Sequence, residues 1–493
     1  MPKLKHPYAW LFCSFAALGA CLYGYDGVYF TGVSAMDIFV EHFGTQKADG
    51  SYEISSSQLS LMTSVINIGE LVGSLSAAPL NDYLGRKGVF LIASIAIIIG
   101  VILQLVTDHN TSYIMGGRII LGYGEIAPAA IRGQLLMCWQ LVISISQIIA
   151  AAINRGTEGI NSTVAYRVPM GVQVIFPVIV LAGLWWVPES PRWLLRKGKQ
   201  ESAKRALALV HRGEQYTPDE DVNVLQQDID DEALKSAESS WMDLIRDPIE
   251  RRKVVYSAGA LIAQQINGIQ WFYYFGTVFS KAIGLNDPFL MTLIVFIIQV
   301  VVVFVAVLFA NKLPRRPLLL ITTGLMTVSI FVVGCLGIPG NTPSPTIGKV
   351  IFAFIIIEIT AFNFAWGPLG WTILKMAVGR NRNKIYAISV ACFWITVWAT
   401  VFTLPYLYYN ANLGPKTGFV YTGLCFISLS YVYFCVGEVT GRTMEEINGF
   451  FAEGIPAKQW RHQPSLTERA ANTNIMGGDE EKSGGSMEVE RSL

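Results

Sequence analysis

The residues that could do chemistry in this chain are a few polar side chains set inside long apolar runs. Asp26, within Gly24-Tyr25-Asp26-Gly27, is a carboxylate in the first such run, and Glu70 and Glu358 are two more. A charge at the centre of a bilayer costs about 2.5–3.5 kcal/mol on insertion scales, so an acid there is protonated part of the time or paired. Its chemistry is proton carriage or ion pairing. For Asp26 the alternative is a helix-breaking structural role beside two glycines; for Glu70 and Glu358 it is a hydrogen bond to a Ser or Asn of a neighbouring helix. Gln140 and Gln147 are seven residues apart and share one helix face, and Gln264, Gln265 and Gln270 cluster later in the chain. Amides in such runs either join helices or offer donor and acceptor together to a ligand. The sequence presents no nucleophile–base set, metal-spaced cluster or phosphate loop, so it argues for neither an enzyme nor a cofactor.

The elements that must position these residues follow from composition. The chain has 493 residues, 52% of them hydrophobic and 15% charged, which exceeds what a soluble fold carries and calls for lipid as solvent. A net charge of +1 and five scattered histidines suggest no nucleic-acid surface. The seven cysteines fall in apolar runs and imply no disulfide framework. Runs of about 20 apolar residues, the length a membrane helix needs, lie near 9–33, 58–80, 88–107, 113–130, 134–154 and 166–187, then 254–280, 288–310, 317–338, 347–374, 385–407 and 417–436. The expected protein is all-α, with twelve transmembrane helices in two six-helix halves. Residues 1–8 form an N-terminus with no cleavage site after the first run, 9–187 and 254–436 the two bundles, 188–253 a polar linker with short helices, and 437–493 a tail that is largely disordered from about Ile455.

Basic residues set the orientation. Lys3, Lys5, Arg86, Lys87, Arg132, the Lys and Arg residues of 192–253, Lys312, Arg315, Arg316, Arg380, Arg382 and Lys384 fall on one side, against Lys47, Arg155, Lys281 and Lys416 on the other. Both termini are therefore expected in the cytoplasm. The sequons at Asn110 and Asn161 fall in the opposite loops, where glycosylation can occur.

Asp82-Tyr-Leu-Gly85-Arg86-Lys87 follows span two, and a weaker echo, Asn311-Lys-Leu-Pro314-Arg315-Arg316, follows span eight, as in transporters built from internal repeats. With Pro188-Glu189-Ser190-Pro191-Arg192-Trp193, Glu125-Ile-Ala-Pro128 and Arg132-Gly133, Tyr166-Arg-Val-Pro169, and Gln264-Gln265 before Gly268, the chain resembles the sugar porter branch of the major facilitator superfamily from about Tyr25 to Glu446. The resemblance implies that a sugar sits at the midplane between the halves, held by Gln140, Gln147, Gln264, Gln265, Gln270 and Trp371, with Tyr273, Tyr274 and Trp394 as further lining or as helix packing. It implies that Asp26, facing Arg118, is the proton-coupling pair. It also implies that Asp82, Gly85, Arg86, Lys87, Glu125, Arg132, Glu189, Arg192, Arg315 and Arg316 gate the cytoplasmic side.

Four departures from the family pattern bear on this. Only six residues separate Arg118 from Glu125, so span four is unusually short: at about 1.5 Å per residue the two are about 10 Å apart along the helix and cannot both reach their usual depths. No acid stands near Leu374-Lys375-Met376. Gly437-Glu438-Val439-Thr440-Gly441 replaces the usual motif after the last span, so a weakened second-half latch is expected. Gln270 stands where the family has Asn, which reshapes the pocket and leaves the sugar open. The expected function is proton-coupled transport of a sugar, a monosaccharide first, by alternating access in a monomer with sugar, proton and lipid as its partners. It would be a multi-pass protein of the plasma membrane. The alternatives are a membrane sugar sensor that scarcely transports and a passive sugar facilitator.

Overall fold

The computed structural model describes residues 7–125, 135–211, 216–237, 239–309, 313–338 and 343–464. Its helices trace twelve crossings. Span one is Pro7–Val33, spans two and three are the helical run Ser56–Val106, span four is Thr111–Glu125, span five Leu135–Thr157, and span six Val164–Val172 followed by Ile175–Gly183. Span seven is Pro248–Gln265 and Ile269–Ala282, span eight Pro288–Phe309, span nine Arg315–Leu336, span ten Pro345–Phe364 and Trp366–Ile373, span eleven Arg382–Pro405 and span twelve Thr417–Cys435. Among the described residues, seven helical stretches are long and apolar enough to cross a membrane by length and composition alone, Ser56–Val106 among them. Val72, Leu75, Ile95, Ile102, Val301, Leu308, Ile321, Val328, Phe426 and Phe434 are all exposed on the outer faces. An apolar surface of that extent needs lipid against it.

Four linker helices, Pro191–Arg196, Gln200–Val210, Pro218–Ala237 and Asp243–Arg246, join the halves at one end of the bundle, called here the linker end. The opposite, distal end carries a short helix, Asp37–Phe43, and a two-residue antiparallel hairpin pairing Thr45 with Glu53. Span two starts there on a capping box in which the Ser55 side chain accepts from the Gln58 amide and Gln58 reaches back.

Spans two and three are expected as separate helices with a basic turn between them. The structure divides the helical run Ser56–Val106 at Gly85, whose φ of +79° and ψ of 175° are non-helical. A side chain there would be doubly disfavoured, since its Cβ would also lie 2.7 Å from Glu189 Oε2. Span four fits its 15 residues between its neighbours through glycine: a Cβ on Gly122 would stand 2.4 Å from the Ile66 carbonyl, and one on Gly69 2.1 Å from that of Ile119. Spans seven and ten are interrupted, at Ile266–Gly268 (Gly268 φ +95°) and at Ala365. Interrupted helices at membrane depth are tolerated only where the freed backbone is buried or lines a cavity, and they mark binding sites in transporters.

The tail needs correction. Met444–Ala452 is helical on a capping box from Thr443, and the turn Ala457–His462 packs on the second half with Trp460 fully buried. The Trp460 indole donates to the Ile455 carbonyl at 3.1 Å, and its ring lies close enough to Gly437 that a Cβ there would clash at 2.0 Å. Residues from 465 on lie outside the described set.

Candidate functional site

Asp26 and Arg118 meet in the interior of the first half, 2% and 0% exposed. Arg118 Nη2 lies 3.4 Å from Asp26 Oδ2, and its Nη1 donates to the Tyr29 hydroxyl at 3.0 Å. Tyr29 passes its own proton to Gln104 Oε1 at 2.7 Å, and the guanidinium carbon sits 4.1 Å from the centre of the Phe30 ring. The arginine therefore keeps a hydroxyl and a π face whether or not the carboxylate is charged. Asp26 Oδ1 is buried without a donor, which leaves a lone pair for a proton.

The short span four has a definite result. Its first two turns still deliver Arg118 to Asp26, so the pair survives. Glu125, seven residues on and on the same face, is 4% exposed, with Glu70, Asp26 and Arg118 as its charged neighbours. Neither of its oxygens has a hydrogen-bond partner among the described residues. Arg132, the other gating residue expected near it, lies outside the described residues.

The amides converge on the interface between the halves. Gln147 Oε1 accepts from Gln299 Nε2 of span eight at 2.6 Å, and Gln299 also donates to Ser144 at 3.1 Å. Gln265 accepts from Gln270. Gln264 Nε2 donates to the Trp366 carbonyl at 2.7 Å, satisfying backbone freed at the break in span ten, while Gln264 Oε1 remains unpaired. Gln140 faces Gly367, whose Cβ would stand 3.5 Å from its amide nitrogen. Trp371 packs on Phe393 (5.3 Å), Phe393 on Trp394 (4.8 Å), and Trp394 edge-on to Tyr23 of span one (6.1 Å). Tyr274 donates to Asn67 of span two at 3.3 Å, and Tyr273 accepts from Asn363 at 2.8 Å. Gln299, Asn67 and Asn363 escaped the sequence reading because a lone amide in an apolar run carries no local signal; only the fold shows what it faces.

At the linker end, Glu189 accepts from the backbone amides of Arg86 (2.9 Å) and Lys87 (3.1 Å), while Asp82 receives the Trp193 indole at its carbonyl (3.1 Å) and Arg196 at its carboxylate (3.2 Å). The second half repeats this. Glu438 accepts from the backbone amides of Arg315 (3.2 Å) and Arg316 (3.1 Å), and Arg316 reaches the Tyr433 carbonyl at 2.7 Å. The altered motif around Glu438 thus keeps its working carboxylate, against the expectation of a weakened latch. Buried Glu250, at the start of span seven, pairs with Lys253 at 2.7 Å and accepts from Asn381 at 3.2 Å. Arg192 adjoins this end in the helix Pro191–Arg196.

Contacts between the halves lie in the middle and at the distal end: Asp37 with Lys281 (2.6 Å), Arg155 with Asp287 (2.9 Å), and the Thr277 amide with Thr31 (3.3 Å), besides the Gln147–Gln299 and Tyr274–Asn67 bonds.

A twelve-span bundle in two halves, with a buried acid–arginine pair in one and interrupted helices lined by amides at the interface, is the architecture of a major facilitator carrier rather than of an enzyme. The chain belongs to the sugar transporter family of that superfamily: residues 12–451 match the family described as "Sugar (and other) transporter". The low-affinity glucose transporter HXT4 of Saccharomyces cerevisiae is 30% identical over 470 residues, covering 90% of this chain and 81% of that protein. The major facilitator-type transporter ecdD of Aspergillus rugulosus is 30% identical over 480 residues, covering 90% and 87%. The xylose transporter XylE from E. coli, in a partially occluded inward open conformation, has the same fold, with a TM-score of 0.72 at 23% identity over 88% of this chain and 99% of that one.

Proposed function

We propose that the protein moves a monosaccharide across the membrane together with a proton, by alternating access, as a monomer in the plasma membrane with both termini cytoplasmic. The reading of coupling rests on one observation, the Asp26–Arg118 pair buried in the first half. Burial opposes the charged carboxylate and Arg118 supports it, so a change of exposure between outward and inward states loads and releases a proton at Asp26. Because Tyr29 and Phe30 of span one also hold Arg118, protonating Asp26 removes the ionic contact while the arginine stays in place against that span. The amide bonds Gln147–Gln299 and Gln265–Gln270 are the ones sugar hydroxyls would replace, each amide offering both donor and acceptor to neighbouring hydroxyls, while Trp371 offers an apolar face to the ring. The sequons at Asn110 and Asn161 lie at the distal end, the outer face in this orientation. A potential of 100 mV contributes about 2.3 kcal/mol per proton and one to two pH units about 1.4–2.7 kcal/mol more, enough for accumulation on the order of a thousandfold.

The test is uptake of radiolabelled hexoses, pentoses, polyols and uronic acids in transporter-deficient cells, with and without a protonophore, for the wild type and Asp26→Asn. Accumulation that falls as external pH rises, and that the protonophore and the variant both abolish, is the expected result. Uptake that only equilibrates and ignores the protonophore would make the protein a passive facilitator; sugar binding at the cell surface without uptake would make it a sensor.

A further inference from the structure

His42, Asp108 and His109 stand together at the distal end, away from the coupling pair and the amides. His42 lies in the short helix after span one, and Asp108 and His109 form the turn between spans three and four. Their imidazoles lie parallel, 3.9 Å apart and 8° from coplanar. His42 Nε2 is 3.7 Å and His109 Nε2 3.8 Å from the same Asp108 oxygen, Oδ1. These separations are too long for hydrogen bonds, and His42 Nε2 is buried with no hydrogen-bond partner. One potential ligand atom from each residue lies within 4.8 Å of the others. A tetrahedral ion with bonds of about 2.0–2.2 Å holds neighbouring ligands roughly 3.3–3.6 Å apart, so the trio closes on an ion by turning the exposed His109 and Asp108 side chains toward His42.

The surroundings fit the same purpose. His109 Nδ1 lies 2.9 Å from the His42 carbonyl and donates to it, which leaves Nε2 as the basic nitrogen; metal-bound imidazoles are commonly oriented this way. Phe43 and Tyr166 wall His42 at ring distances of 5.0 and 5.9 Å, whereas His109 and Asp108 open to solvent and leave a fourth position for water. Two imidazoles and one carboxylate suit a borderline transition ion better than Mg²⁺ or Ca²⁺.

We propose that His42, Asp108 and His109 bind a divalent transition metal ion of the Zn²⁺ class, fastening the helix Asp37–Phe43 to the turn between spans three and four. That helix also carries Asp37, the partner of Lys281 in the other half, so the ion braces the element through which the halves touch.

The test uses the full chain, purified with an affinity tag free of histidine, stripped with EDTA and titrated with Zn²⁺ against a chromogenic chelator. One Zn²⁺ per chain is expected, with affinity falling at least about tenfold in His42→Ala and in His109→Ala. Zn²⁺ should also raise the melting temperature of the wild type and not of His109→Ala, a mostly exposed position whose loss spares the fold. His211 and His462 persist in every variant, so unchanged Zn²⁺ binding in the His42→Ala/His109→Ala double variant would overturn the proposal. So would a folded wild type that binds no Zn²⁺.

Discussion

At the scale of single residues, the buried acids divide by what faces them. Asp26 has Arg118, while Glu125 and Glu70 are buried acids at 4% and 1% exposure. Glu125→Gln keeps the shape and removes the ionisable group, and should leave surface expression and uptake within about twofold of the wild type. Glu125→Ala opens a void in the interior of the first half, read as a lower melting temperature in detergent. Arg118→Lys tests the other acid. An ammonium cannot span Asp26 and the Tyr29 hydroxyl as the guanidinium fork does, so uptake should fall at least about tenfold with normal surface expression. Expression and uptake measured on the same cells separate a folding defect from a coupling one.

At the scale of elements, the helical run of spans two and three turns on one glycine. Gly85→Ala should cost about 1–2 kcal/mol for the left-handed backbone alone, and the approach of Glu189 adds to it; a melting curve measures the loss. The chain's spans were legible because membrane helices announce themselves by length and hydropathy, and Asp26, Arg118 and the glutamines were legible because polar groups stand out against such runs. The tightness of the break at Gly85 was not, since a basic loop and a sharp bend share the same letters. The metal-ligating trio was invisible because its members are some 66 residues apart in the chain, His42 to Asp108. Glu250 was missed for a like reason: its partner Asn381 lies 131 residues further on.

At the scale of the whole molecule, the halves touch at the distal end through exposed ion pairs. Asp37 and Lys281 are 93% and 49% exposed at their side chains, and such pairs contribute about 0–1 kcal/mol. Asp37→Lys should therefore change uptake by less than about fivefold, and the swap with Lys281→Asp should recover it. The same reversal at Glu189 or Glu438, both of which hold two backbone amides, is expected to open the linker end. Cysteine labelling of that end in Glu189→Ala and Glu438→Ala would rise together, and a rise in only one would show the halves to be unequal.

The two glutamates grip amide hydrogens of the helices they face. Every residue except proline offers such a hydrogen, so this part of each joint does not depend on which side chain occupies positions 86, 87, 315 or 316. Evolutionary drift can then erase the sequence likeness between the repeats while their mechanical equivalence persists, which is why the faint second motif of this chain conceals a joint as sound as the first.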